Sequence, residues 1–519
     1  MTMGQNMMSH TQQSLTSKLV AVMLAWVLIG GFHAVVQAQN RVMSPATNDA
    51  MSSATGSTST SGQLTMTLDQ AIQTALASNR EIRKAALGVK DGDAQVLNAW
   101  SEVLPDVSAS ANYTRNIEIP VNFIPAQVFD PSAPAGELVP VQFGTDNNWQ
   151  GGLTVSQTIF RGQAIIGLST SRLYKLAQSQ NFELTSQQII TQTRQAYHQA
   201  LLAKERVQLL ETSIARLERV LEETKARRDA GLVDDYSVLQ IEVQLANQRP
   251  SLIEAQNGYK QALRGLVQVL GLPVDSSLEV VGDLTSFVIS TSDQPAPTNE
   301  HLGRIDQANG HSAQSLLKPQ DVVDQRADIQ FLESQVALRE KQLLATKSEY
   351  LPSISAVYNL QWSSSQPGSP VVFEDAIRFQ TVGLAVSLPI FQGSERIANV
   401  SRASIELQTF ETDLEQAEVS AAQEIATLQD EFNRLFLSYD ARQMALRQAQ
   451  EGFERAKLRL ESGNGSQLEI TEAELQLQEA EFNVVQLAHD YLNAKASFDF
   501  AIGSVPFSEN LSIQTSLNP

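Results

Sequence analysis

Residues 101–116 read SEVLPDVSASANYTRN, and residues 348–362 read SEYLPSISAVYNLQW. A chain that spells one stretch twice, each time with alternation, must find a use for two similar strands. In the first stretch Val107, Ala109, Ala111 and Tyr113 share one face, and Ser108, Ser110, Asn112 and Thr114 share the other. In the second, Ile354, Ala356, Tyr358, Leu360 and Trp362 oppose Ser353, Ser355, Asn359 and Gln361, with Val357 out of phase. Period two is the signature of a strand, because successive side chains leave a pleated backbone on opposite sides. An apolar face ending in aromatics, backed by a small polar face, suits a sheet between lipid and water, and equally an ordinary half-buried strand.

The repetition extends beyond these strands. WQGGLTVSQTIF at 149–160, ending in RGQ, matches FQTVGLAVSLPIF at 379–391, ending in QGS. The predicted strands are 104–115, 149–160, 351–362 and 379–390. The proline-rich stretch 117–148 is expected to sit outside the sheet. A helix is predicted from Thr67, as its cap, to the Leu104–Pro105 break.

Each second strand leads into a helical segment of unusual length. A continuous helix from Gly162 to Gly231 would reach roughly 100 Å. Its apolar positions step by three and four: Val207, Leu210, Ile214, Leu217, Leu221 going out, and Leu245, Gln248, Leu252, Ala255, Tyr259, Ala262 coming back. The second half repeats the pattern through Phe432, Leu435, Tyr439, Phe453 and Ala456, then Ile470, Leu477, Val484, Leu487 and Tyr491. Such spacing is a coiled-coil seam. Gly231 with Gly463, Tyr259 with Tyr491 and Gly271 with Gly503 fall at one constant offset, so the chain reads as a tandem duplication. The expected division is a first copy at 64–284, a linker at 285–325, a second copy at 326–503 and a tail at 504–519; the chain length of 519 residues also argues for two or more units.

The beginning of the chain carries an address. Lys18 precedes the apolar run LVAVMLAWVLIGGF, and VVQA then offers a cut after Ala38, so 1–38 is expected to be a secretory signal peptide. A Ser- and Thr-rich leader, 39–63, follows. No later apolar run reaches the roughly 18 residues of a membrane-spanning helix, so any crossing of a bilayer must use a closed barrel.

Composition narrows the chemistry. With 57 Asp and Glu against 37 Lys and Arg, a net charge of -20 disfavours nucleic acid as a partner. The chain has 0 Cys and 6 scattered His, which excludes thiolate chemistry and offers no metal-ligand spacing. No nucleophile elbow, phosphate-binding loop or dinucleotide motif is present, so neither an enzyme nor a cofactor is expected.

In the paired LPDVSA and LPSISA, the paired LTVSQTIFRG and LAVSLPIFQG, and the hairpin RRDAGLVDDYSVLQIEVQLA, the chain resembles the outer membrane efflux protein family, the TolC-like channels. That resemblance implies a mixed α and β fold: a homotrimer whose four strands per chain close one outer-membrane barrel, continued by a long helical coiled-coil barrel in the periplasm. It implies an exit duct for efflux or type I secretion, with outer-membrane lipid, a periplasmic adaptor and an inner-membrane transporter as partners. A poreless periplasmic coiled-coil scaffold is the alternative.

The resemblance further implies a periplasmic gate of two acids, six and nine positions after the second hairpin's glycine. After Gly463 these are Glu469 and Glu472, one helical turn apart. Glutamates at this spacing otherwise read as solvated helix surface. The hairpin tips, with adaptor contact as their implied role, comprise Gly231, Asp234, Asp235, Tyr236, Gly463 and Gly465. An arginine latch found in relatives would fall at Gly465, facing Tyr236 and Ser237, and is missing here.

Overall fold

The computed structural model describes residues 64–284, 320–368 and 376–505. The expected signal peptide and leader lie outside the described residues, as do most of the linker and of the C-terminal tail. The described residues all fall within one compact unit.

A short strand β1 (Leu64–Met66) leads to helix α1 (Leu68–Ser78). Thr67 caps α1 through a reciprocal box with Gln70, the Gln70 amide 3.4 Å from Thr67 Oγ1 and the Thr67 amide 3.0 Å from Gln70 Oε1. The single helix expected up to Pro105 is in fact two. Asn79 takes an extended conformation and accepts the Glu81 amide at 2.7 Å, opening α2 (Arg80–Ser101). An asparagine able to cap is enough to divide the run.

Four strands form one antiparallel sheet in the order β2 (Asp106–Arg115), β5 (Asn147–Phe160), β7 (Ser353–Gln366) and β8 (Ile377–Ser387). The fourth strand stops at Ser387 rather than at 390. Pro389 has no amide to donate to a ladder. The third begins at Ser353 and runs past 362, continuing through Ser363, Ser364 and Ser365 to Gln366, because register with β5 and not hydrophobicity sets its end.

Register makes two faces. Val107, Val155, Tyr358 and Val382 align across the four strands in one apolar row. The next row, Ser108, Thr154, Asn359 and Thr381, is polar, with Thr154 Oγ1 donating to Asn359 Oδ1 at 3.0 Å and Asn359 Nδ2 donating to Thr381 at 3.4 Å. Tyr113 and Trp149 stack directly across the β2–β5 pair, ring centres 4.4 Å apart. Every residue of β2 and β8 is exposed, and each of these strands has one edge without a partner among the described residues.

The stretch 117–148 lies outside this sheet and makes a hairpin of its own, β3 (Val121–Pro125) with β4 (Leu138–Gln142). Pro140 and Pro125 fit there because a two-stranded ladder leaves half of its amides unpaired.

The helices account for most of the chain. Beyond β5, α3 spans 68 residues (Gly162–Asp229) and returns through α4 (Asp235–Leu270, 36 residues) to β6 (Leu278–Val280), which pairs in parallel with β1. The short α5 (Gln320–Val323) and α6 (Ala327–Lys347) lead back to the sheet. After β8, α7 spans 67 residues (Glu395–Glu461) and returns through α8 (Gln467–Ala501, 35 residues).

Tyr197, Leu201, Leu266, Leu270, Leu278 and Val280 centre the main core, where the Tyr197 hydroxyl sits 2.9 Å from the Met66 carbonyl. Near the hairpin ends, Val220, Ile241, Phe453, Ala456, Ile470 and Leu477 bring all four long helices together. Full burial of each large side chain contributes about 1.5–3 kcal/mol. The seam on α3 is shifted from the expected one. Leu210 and Leu217 are buried as expected, but Ser213, Val220 and Thr224 complete the row, leaving Ile214 and Leu221 half-buried.

Candidate functional site: the paired hairpin ends

Both long helices end by the same backbone device. In the first, the Gly231 amide donates to the Arg228 carbonyl at 2.8 Å and the Leu232 amide to the Arg227 carbonyl at 2.9 Å. In the second, Gly463 donates to Leu460 at 3.1 Å and Asn464 to Arg459 at 2.9 Å. This pair of bonds needs a left-handed residue, and Gly231 and Gly463 have φ of 74° and 77°. Space around both is open, so the backbone angle alone demands glycine.

Each return helix starts at once. Asp234 accepts the Ser237 amide at 3.0 Å and its hydroxyl at 2.7 Å, which holds the Asp234 carboxyl below the usual range. Ser466, its counterpart, accepts the Glu469 amide at 3.2 Å. Asp235 is in the first turn of α4, 3.8 Å from Arg228, and Tyr236 is 64% exposed. Gly465 is glycine for a different reason: a Cβ there would stand 2.8 Å from the Leu460 amide nitrogen. An arginine at this position would collide with the end of its own helix.

The two acids stand unequally. Glu469 lies 3.6 Å from Arg459 of the outgoing helix, whose guanidinium also donates to the Asn464 carbonyl at 3.3 Å. Glu472 is exposed, and no ion pair involving it is found among the described residues. The two hairpin ends touch through Arg227, which donates to the Leu460 carbonyl, and through Thr224 Oγ1, which donates to Gln467 Oε1 at 3.3 Å.

Above the ends, α4 and α8 flank a groove of about 710 Å³, lined by Gln240, Gln244, Gln248, Gln478, Arg206 and Phe482. Behind it lies a buried ionic cluster that sequence reasoning missed. Arg216 of α3 meets Glu474 and Glu481 of α8, each at 2.9 Å. Burial pushes the Glu474 carboxyl up, and the Arg216 charge opposes that shift. Higher still, His198 Nδ1 is 3.1 Å from Asn493 Oδ1, and Asn493 Nδ2 is 2.9 Å from His489 Nε2. Burial pushes the His198 imidazole down to about 4. Nothing local in the sequence signals either group, because the partners lie hundreds of residues apart. Among the described residues no group of three or more His, Asp or Glu is arranged to hold a metal ion, and no helix is long and apolar enough to cross a membrane.

Comparison with known proteins agrees with this architecture. Outer membrane protein TolC of Escherichia coli is 22% identical over 461 residues, covering 87% of this chain and 85% of that one. The proteases secretion protein PrtF of Dickeya chrysanthemi is 21% identical over 363 residues, covering 69% and 73%. Among solved structures, the CmeC outer membrane channel of Campylobacter jejuni superposes with a TM-score of 0.66 at 19% identity, covering 87% of this chain and 89% of that one. The Neisseria gonorrhoeae MtrE outer membrane channel gives 0.64 at 19% identity, covering 84% and 88%. The outer membrane efflux protein family matches residues 71–272 and 319–504. The chain belongs to that family and is an outer-membrane exit duct for efflux or type I secretion, with a large periplasmic portion.

Proposed function

We propose that three copies of this chain close a single twelve-stranded barrel in the outer membrane, and that their long helices continue it as a periplasmic tunnel ending in the paired hairpins. The observation that carries this reading is the sheet with unpaired edges on both β2 and β8. Four strands are too few for a transmembrane barrel, whose smallest form has about eight, and an exposed edge invites pairing. The apolar row through Val107, Val155, Tyr358 and Val382 on one face and the hydrogen-bonded row through Thr154, Asn359 and Thr381 on the other suit outer-membrane lipid outside and water within. The number three comes from the family.

The two halves of the chain descend, in this reading, from one duplicated unit. The matched caps at Gly231 and Gly463, at Asp234 and Ser466, and at Gly271 and Gly503 support it. An inner-membrane transporter and a periplasmic adaptor supply the cargo, and the hairpin ends are the surface they meet. PrtF is a protease secretion protein by name, which keeps protein cargo beside drugs or metals as candidates here.

At the tunnel's end three copies of Glu469 and Glu472 form a ring of carboxylates that attracts cations. Arg459 offsets part of the Glu469 charge, so Glu472 dominates the field. Single-channel recording of the purified protein in a planar bilayer under a salt gradient tests both points. Small, cation-preferring steps are expected, and Glu469→Gln with Glu472→Gln should lower that preference severalfold. A folded protein that never conducts overturns the duct. Unchanged selectivity in the double variant removes the two acids from the gate.

A further inference from the structure

Arg206 of α3 stands where two cavities meet. One is the groove of about 710 Å³ between α4 and α8, and the other, of about 560 Å³, extends to His489. Arg206 and Phe482 line both, with the guanidinium carbon 5.6 Å from the centre of the Phe482 ring. A ring beneath a guanidinium attracts its charge but occupies none of its five N–H donors. Among the described residues no hydrogen bond or ion pair engages those donors, in a chain where 57 acids outnumber 37 Lys and Arg.

The surroundings suit one kind of guest. Val243 and Leu475 line the same groove as Phe482, with half of each side chain open, 50% and 48% exposed. Gln244 adds an amide that is shielded from water and has no partner among the described residues. Gln478 accepts from Gln248 at 2.9 Å through its oxygen, which leaves its own N–H donors for another acceptor. Donors beside an apolar wall fit a molecule with a flat apolar body and an acidic end. The groove also has a definite side. Tyr197 and Lys204 of α3 reach the Met66 and Val280 carbonyls, each at 2.9 Å, and so face β1 and β6. Gln199 and Arg206 follow them by two residues, about 200° round the helix, and line the cavities on the opposite face.

We propose that the Arg206–Phe482 corner is a binding site for aromatic carboxylates. The guanidinium fork takes the carboxylate, the aromatic ring lies on Phe482, Val243 and Leu475, and the Gln244 and Gln478 amides complete the hydrogen bonds of the oxyanion. Arginine suits this task better than lysine, because its planar fork matches two carboxylate oxygens. Glu479 in the first cavity and Glu254 in the second oppose the anion, so the ring must contribute as well as the charge. The site itself concerns one chain; that its guest is cargo rests on the duct reading above, in which the face turned from β1 and β6 lines the tunnel. Such a site selects by chemistry opposite to that of Glu469 and Glu472.

Equilibrium dialysis of 2-naphthoate against the detergent-purified protein, with matched empty micelles opposite, tests this. Saturable binding is expected, and the uncharged 2-naphthamide should bind about tenfold more weakly. Arg206→Gln should weaken naphthoate by about tenfold or more and leave naphthamide unchanged, while Arg206→Lys, which keeps the charge and loses the fork, should fall between. Glu479→Gln should tighten naphthoate severalfold by removing a like charge, a gain that misfolding cannot produce. Equal binding of naphthoate and naphthamide, or naphthoate binding unmoved by Arg206→Gln, overturns the site. In a planar bilayer, naphthoate should reduce the current through the unaltered protein and not through Arg206→Gln. Binding that leaves the current untouched overturns the cargo role. Binding by a protein that never conducts upholds the site and overturns the duct, whereas conduction without binding does the reverse.

Discussion

The inner pair of long helices, α3 and α8, differs from the flanking pair, α7 and α4, although lengths and caps match. Twenty-one residues of α3 are buried against eight of α7, and thirteen of α8 against eight of α4. Apolar side chains are left outside on the flanks: Leu437, Met444 and Leu458 on α7 are 77%, 58% and 61% exposed, and Ile253 on α4 is 59% exposed. Similar heptads thus serve two ends, holding one chain together and leaving surface for another. A helix presenting apolar residues on two sides needs two neighbours, and toward the hairpin ends each flank packs chiefly against one helix among the described residues.

The largest effect that separates the pairs is expected from Tyr491→Ala on α8, where the ring lies 4.6 Å from Phe432 and the side chain is 1% exposed. Unfolding in denaturant should show a loss of about 3–5 kcal/mol. Leu437→Glu on α7 should leave the chain's own stability within about 0.5 kcal/mol, yet reduce the oligomer's mass in detergent. An equal loss of stability from both changes would erase the distinction.

A smaller effect is expected from Glu205 on α3, 4% exposed, whose carboxyl is pushed up to about 7 by burial and then by the neighbouring Asp283. The folded state holds this proton more tightly than the unfolded one. Stability from this group is therefore complete below the ordinary value of 4.5 and is lost as pH rises to about 7. The loss should be on the order of 3 kcal/mol, and Glu205→Gln should flatten that slope in denaturation measured from pH 4 to 8. A slope that persists in the variant assigns it to other groups. Smallest is Gly231→Ala, which meets no neighbour and suffers only the left-handed backbone, about 1 kcal/mol by thermal unfolding. A loss well beyond that would mean the hairpin ends are more tightly packed than the inner seam.

What the sequence made legible was whatever is written locally. Alternation revealed the four strands, and the constant offset between the two copies paired the hairpin ends at Gly231 and Gly463. Pro389 and Asn79 were equally visible, yet their effect on strand and helix ends depends on ladders and caps that alternation and heptads do not encode. The seam settled on Ser213 and Thr224 because helices from the other half of the chain approach there, and a small residue permits close contact. The Glu474 pairing is invisible for the same reason: its arginine lies 258 positions away. Of the two acids proposed for the gate, Glu472 is as exposed as surface spacing suggests, while Glu469 acquired a partner in Arg459 that comes near only after the chain reverses.

The sheet's two free edges have a consequence for counting. Antiparallel strands alternate in direction, and β2 and β8, first and last of an even set, run opposite ways. A ring of any number of chains would therefore close with every neighbour correctly opposed. Parity in the strands permits closure without selecting the copy number. The copy number is then left to the tilt and stagger of the strands and to the angle at which neighbouring helices would meet, which makes α4 and α7 places where substitutions would bear on the width of a pore.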